Sequence, residues 1–254
     1  MLHAVSTAPF AQTDVTFLSR IFGSRPPLLA KEKHRTTQWR ALRKPDLHSS
    51  FEASRYVIVD VETSGLNPYR DSLIAIGAVA FVNGQILLND AFEAVLRQAA
   101  SSSPENILVH GIGGTGQSLG MDPAQALLDF LNYAGTAPLI GFHASFDEAV
   151  LHRAMKANLG INFHPPWLDI ALLAPALKPT LAGQLQSLDD WTGHLSIGNF
   201  ARHSALADAY STAQLFLVCI GLSKQSYHAK CFADLATLEK AQRTLERLKE
   251  TPPQ

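Results

Sequence analysis

The chain is 254 residues long and 46% hydrophobic, enough for one large domain with a buried core and too apolar for a disordered chain. A net charge of −1 does not mark a nucleic-acid binder by bulk electrostatics, and two cysteines exclude a disulfide framework and suit a reducing compartment. No run of eighteen uncharged apolar residues exists and the N-terminus lacks the order of a secretory signal, so the expectation is a soluble, cytoplasmic protein with no membrane contact.

In chain order, the first segment is a basic N-terminal extension, residues 1–54. Residues 1–55 hold nine Lys/Arg against four acids, net +5, which leaves residues 56–254 net −6. Such an arm either touches phosphates or an acidic partner, or is a solvated, loosely ordered extension. Asp14 and the late position of its basic residues argue against an organelle transit sequence.

Tyr56-Val57-Ile58-Val59 is a β-branched run that predicts a buried strand ending at Asp60. A turn at Gly65, Asn67 and Pro68 leads to a second strand over 73–82, and Asn83-Gly84 predicts a hairpin into a third, about 85–96. Polar sequence follows until Asp122-Pro123, a helix start by cap and first-turn proline. Leu139-Ile140-Gly141 predicts a short strand, and 145–158 a helix. Shorter helices are expected over 168–176 and 184–192, broken by Pro175 and Pro179, then a long apolar-faced helix over 204–220. The last stretch, about 230–250, spaces Leu235, Leu238, Leu245 and Leu248 for docking a helix on the body. A hairpin meander followed by alternating helix and strand indicates an α/β fold with a mixed sheet.

Chemistry-bearing residues fall at the ends of these elements. Asp60 and Glu62 flank Val61, and strand alternation points both carboxylates to one face. Adjacent carboxylates repel unless a cation sits between them. Asp147 opens the helix that follows the fourth strand. Asp208, five residues after His203, lies in the first turns of an otherwise apolar helix, where a carboxylate needs a partner. Each alone has an ordinary reading as a cap, a dipole-favouring acid or a loop histidine. Together, four carboxylates need about two divalent cations, and hard oxygen ligands suit Mg²⁺ or Mn²⁺ rather than zinc. A histidine beside them can take a proton from water near neutral pH. A dinuclear site of that kind clamps the attacking and leaving oxygens of a phosphodiester.

The order Asp60-x-Glu62, His143-x-x-Phe146-Asp147, His203-x-x-x-x-Asp208 resembles the DEDDh 3′–5′ exonucleases. Asp60-Val-Glu-Thr-Ser-Gly-Leu-Asn and Val109-His110-Gly111-Ile112 are most similar to the epsilon-type proofreading branch of bacterial DNA polymerase III. The resemblance covers about 55–222 and implies a ribonuclease-H-like mixed sheet flanked by helices, with residues 223–254 as a C-terminal helical tail. It implies that Asp60 bridges two metal ions, that Glu62 and Asp208 complete one site, and that Asp147 holds the second ion. His203 would be the general base. Thr63, Leu66, His110, His143 and Phe146 would receive the terminal nucleotide, with Leu66 as a wedge and Phe146 as a wall. Ser64 departs from the second threonine of many proofreading relatives.

The expected activity is therefore two-metal hydrolysis of single-stranded DNA 3′ ends to nucleoside 5′-monophosphates, in proofreading or repair, free or as a DNA polymerase subunit. An exoribonuclease or oligoribonuclease of the same chemistry is the alternative, since only contacts to a 2′-hydroxyl decide it. A catalytically idle nucleic-acid or polymerase-binding module is the other. Gly111-Ile112-Gly113-Gly114-Thr115-Gly116 fits a dinucleotide fingerprint, but no strand-to-helix unit is expected around it, and it reads as a flexible loop beside the cleft. His152, His164, His194 and His228 lack paired ligand spacing. Ser145, near His143 and Asp147, has no nucleophile-elbow context.

Overall fold

Within Tyr56–Val61 every residue but Asp60 is apolar, so this strand must be covered on both faces. The computed structural model, which describes residues 28–198 and 203–250, shows how. Strand β1 (Arg55–Thr63) lies at the centre of a five-stranded sheet with β2 (Leu73–Val82), β3 (Gln85–Val95), β4 (Leu139–Gly141) and β5 (Trp167–Asp169). The spatial order is β3-β2-β1-β4-β5; the first three strands are antiparallel, and β1, β4 and β5 are parallel. The sheet is mixed, as the sequence predicts. At the β2–β3 turn Asn83 and Gly84 both have positive φ, 54° and 75°, the geometry that Asn-Gly favours.

Tyr56 and Ile58 point to one face, Val57, Val59 and Val61 to the other, and each set joins a separate core. The first core is closed by α6 (Ile170–Leu177), α8 (Ala205–Tyr227) and α9 (Phe232–Glu250), through Leu173, Phe216, Phe232 and Leu235. The second is closed by α4 (Pro123–Ala134) and α5 (Ser145–Leu159), through Leu127, Phe130, Leu131, Val150 and Met155. Helix α8 is 23 residues long and apolar enough to cross a membrane by composition, yet 56% of its most apolar window is buried in the protein. It is the inner helix of the first core, which accounts for its apolar sequence.

Several elements differ from expectation. Residues 30–54 are not a loose arm: α1 (Ala30–Arg40) packs on α4, with Arg35 paired to Asp129 at 2.7 Å and the Trp39 indole N–H donating to the Gly135 carbonyl at 2.7 Å. The helix has little amphipathic pattern of its own, so only these long-range contacts reveal it. Residues 1–27, with Arg20 and Arg25, together with Arg202 and 251–254, lie outside the described residues. The segment before α4 contains two short helices, α2 (Pro104–His110) and α3 (Gly114–Ser118), where a flexible loop was expected. The Ser103 hydroxyl caps α2, Pro104 opens it, and Gly111 closes it at φ 69°. Leu168-Asp169 belongs to β5, not to the helix that follows, and Pro175 sits inside α6 rather than breaking it. The helix expected over 184–192 is the shorter α7 (Leu188–His194). Helix α8 continues past residue 222 to Tyr227, and α9 docks on the body through Leu235, fully buried.

Candidate active site

The site forms where β1 outruns its parallel neighbour. β4 pairs with β1 only at Val57 and Ile58, so the end of β1 has a free edge on that side. There the backbone N–H of Val61 donates to Asp147 Oδ1 at 3.1 Å, which fixes the first turn of α5 against the strand. On the other side Asp60 pairs with Gly77 and Glu62 with Ala75 of β2. A Cβ on Gly77 would stand 2.1 Å from the Ala205 carbonyl carbon and the Leu206 nitrogen. Only glycine lets the start of α8 rest on β2, and that approach delivers Asp208 to the end of β1.

Asp60, Glu62 and Asp208 each offer an oxygen, and these atoms lie within 4.8 Å of one another. Asp60 and Glu62 are half-buried, as alternation predicts, and Asp208 is 6% exposed. The backbone N–H of His203 donates to Asp208 Oδ2 at 3.1 Å. His203 itself has φ 61°, and its side chain is exposed on the turn that enters α8. Asp147 is buried, at 4% exposure. Burial pushes its carboxyl well above the usual range, and the negative charges of Asp169 and Glu62 add to this, while N–H donors from its own backbone and Val61 oppose it. A carboxyl so placed is hard to ionise without a neighbouring cation. The donor set is all carboxylate oxygen, so the residues present fit hard divalent cations such as Mg²⁺ or Mn²⁺.

The flanking residues are held by their own hydrogen bonds. Thr63 is buried, and its hydroxyl donates to the Gly65 carbonyl at 2.6 Å. The Ser64 N–H donates to the Ser72 carbonyl and the Ser72 N–H to the Ser64 hydroxyl, closing the loop base. Leu66 projects from that loop at 92% exposure. Phe146 is half-buried beside Asp147 on α5, and His143 is exposed at φ 58°. The His143 and Ala171 N–H groups both donate to Asp169 Oδ1 at 3.0 Å. Asp169 thus positions the β4–α5 loop, a role that sequence reasoning missed. Its signal was a helix cap before the apolar run of α6.

His110 is buried at the end of α2, in the segment formed by α2 and α3. The Ile112 N–H donates to its Nδ1 at 3.0 Å, so the neutral ring carries its proton on Nε2, which donates to Asn106 Oδ1 at 2.9 Å. Burial pushes its pKa down, consistent with that neutral form. Gln117, fully buried, ties the segment together by donating to the Ser102 hydroxyl and the Ile112 carbonyl.

The profile of the RNase T exonuclease family matches residues 57–216, which contain all of these residues. The DNA polymerase III PolC-type protein of Thermotoga petrophila is 31% identical over 184 residues, covering 72% of this chain and 13% of that protein. A DNA polymerase III subunit epsilon-like protein of Rhodobacter capsulatus is 34% identical, covering 64% of this chain and 23% of its own length. The chain therefore spans a small part of the curated relatives it matches. Among solved structures, E. coli exonuclease I in complex with a dA16 oligonucleotide superposes with a TM-score of 0.57 at 17% identity, over 68% of this chain and 41% of that one. Exonuclease X in complex with 5′-overhanging duplex DNA gives 0.55 at 20% identity, over 72% and 99%. These likenesses are to the ribonuclease-H-like fold.

Proposed function

This chain belongs to the RNase T exonuclease family, a nuclease and hence a hydrolase, and from that premise we propose that it is a metal-dependent 3′–5′ exonuclease acting on single-stranded DNA. The convergence of Asp60, Glu62 and Asp208 within 4.8 Å, with Asp147 bonded to the same strand, is the observation that carries the reading. Asp60, Glu62 and Asp208 would hold one Mg²⁺ or Mn²⁺, and Asp60 with Asp147 a second. When bound, such a pair neutralises phosphate charge and makes water a stronger acid.

The chain's own groups do the rest. His203, fastened through its main chain to Asp208, takes a proton from the attacking water as the water oxygen bonds to phosphorus. The bond from phosphorus to the 3′-oxygen of the penultimate nucleotide breaks, that oxygen gains a proton, and the terminal nucleotide leaves as its 5′-monophosphate. Thr63, Leu66, Phe146 and His143 receive that nucleotide, and buried His110 acts by shaping the α2–α3 wall. Residues 55–222 carry the catalysis, with 1–54 and 223–254 as flanking segments. The names of the relatives favour DNA over RNA, a polymerase as an associated protein, and a cytoplasmic place in replication or repair.

Digestion of DNA and RNA strands of one sequence, with products weighed by mass spectrometry, tests this. Deoxynucleoside 5′-monophosphates formed faster than ribonucleotides support it. Release of 3′-monophosphates, or faster digestion of RNA, overturns the chemistry or the substrate respectively.

A further inference from the structure

The loop between β1 and β2 is fixed more firmly than its exposure suggests. The Tyr69 N–H donates to Asn67 Oδ1 at 3.0 Å and the Asn67 N–H to Asp71 Oδ2 at 2.7 Å. From α5, Arg153 donates to the Pro68 carbonyl at 3.0 Å and to the Asp71 carbonyl. The Tyr69 ring is therefore held outward, 80% exposed, on a backbone that does not need ordering when a ligand arrives.

Tyr69 lines a cleft of about 550 Å³ shared with His152, Arg153 and Lys156 of α5 and with His164. That volume lies in the roughly 300–1,000 Å³ range of ligand clefts. The His152 Nδ1 lies 3.2 Å from the Phe163 carbonyl, so Nδ1 carries the proton and the ring is fixed. The His164 ring lies against it with centroids 4.3 Å apart. Arg153 and Lys156 face a single carboxylate in the cleft, Glu148, and no ion pair between described residues uses Lys156. On α5 the cleft residues Ser145, Ala149, His152 and Lys156 share the helix face turned away from Asp147, and the cleft is joined to the end of β1 through the loop that carries Tyr69, which leaves that strand directly after Glu62 and Thr63.

Flat aromatic faces interleaved with cations are the chemistry that holds a single nucleic-acid strand, bases by stacking and phosphates by charge. We propose that this cleft binds the substrate strand away from the scissile phosphate, with a base on Tyr69 and the exposed His164 ring and a phosphate at Lys156. It rests on the nuclease reading above and adds a strand-binding site outside the residues that carry the chemistry.

The test compares a 12-nucleotide DNA strand with the nitrophenyl ester of thymidine 5′-monophosphate, which is too small to reach the cleft. Tyr69→Ala should raise KM for the strand about tenfold, a typical loss for one stacked base, with kcat and ester hydrolysis unchanged; Tyr69→Phe should restore it. Lys156→Gln should raise the strand KM and flatten the slope of log KM against log salt by about 0.7, one phosphate contact on a single strand. Wild-type KM in both alanine and glutamine variants, with ester hydrolysis intact, overturns the cleft and leaves the nuclease reading standing. A wild-type protein inactive on both substrates with Mg²⁺ and Mn²⁺ overturns both.

Discussion

At the scale of single residues, Asp147 concentrates the electrostatic cost of the site. Its carboxyl is buried, so its ionised form is disfavoured in the folded protein relative to the unfolded chain. Folded Asp147 therefore holds its proton at a pH where unfolded Asp147 has lost it. The metal-free protein then loses stability from this group as pH rises above the ordinary carboxylate range, and regains it as pH falls back through that range. Asp147→Asn, which keeps an oxygen for the Val61 N–H, should melt higher than wild type in EDTA, with a gap that widens with rising pH, while losing nuclease activity. Equal melting temperatures at all pH values would contradict the burial argument. His203→Ala should slow hydrolysis by about 10²–10⁴ and remove one limb of the pH–rate profile, the consequence of losing a general base. A profile that coincides with wild type would remove His203 from that role.

At the scale of elements, the site exists because two helices start against one strand end. Gly77 is the residue that permits it, since any side chain there would meet the backbone of Ala205 and Leu206. Gly77→Ala should cost about 1–3 kcal/mol by overpacking, and should lower activity further than the unfolded fraction explains, because Asp208 moves with α8. Wild-type turnover in a sample shown to be folded would contradict that coupling. Asp60, Glu62 and Asp208 were legible in the sequence only together: each alone reads as a cap or a dipole-favouring acid, and it is their order with Asp147 and His203, which resembles that of the DEDDh exonucleases, that marks them. Gly77 was not: its role depends on a helix more than a hundred residues later. Asp169 and β5 were hidden for a related reason, as a three-residue strand running directly into a helix shows no period of its own. The hairpin strands were plain because Asn83-Gly84 and long β-branched runs are local signals, whereas α2 and α3 are too short to show a helical period.

At the scale of the whole molecule, the mixed sheet is flanked by helices on both faces, and two described helices outside the family match, α1 and α9, are part of that packing. Helix α1 covers the second core, where Trp39 packs on Phe163 at 6.0 Å and bonds to Gly135. Helix α9 covers the first, through Phe232 and Leu235. Trp39→Ala should destabilise the protein by about 2–4 kcal/mol in denaturant titrations while leaving kcat near wild type, since none of its partners belongs to the carboxylate cluster. A change confined to kcat would show instead that α1 reaches the site. The basic residues of the N-terminal segment thus divide: Arg35 serves packing through its pair with Asp129, and is not a free phosphate ligand.

The central claim is that the carboxylates gathered at the end of β1 form the catalytic centre of a metal-dependent 3′–5′ exonuclease. The most direct measurement is digestion of 5′-labelled single-stranded DNA with Mg²⁺, Mn²⁺ or EDTA, beside Asp60→Ala shown to be folded. The account predicts a ladder shortening from the 3′ end with either metal, and none with EDTA or in the variant. Cleavage that survives EDTA, or a folded Asp60→Ala protein that digests at the wild-type rate, would contradict it.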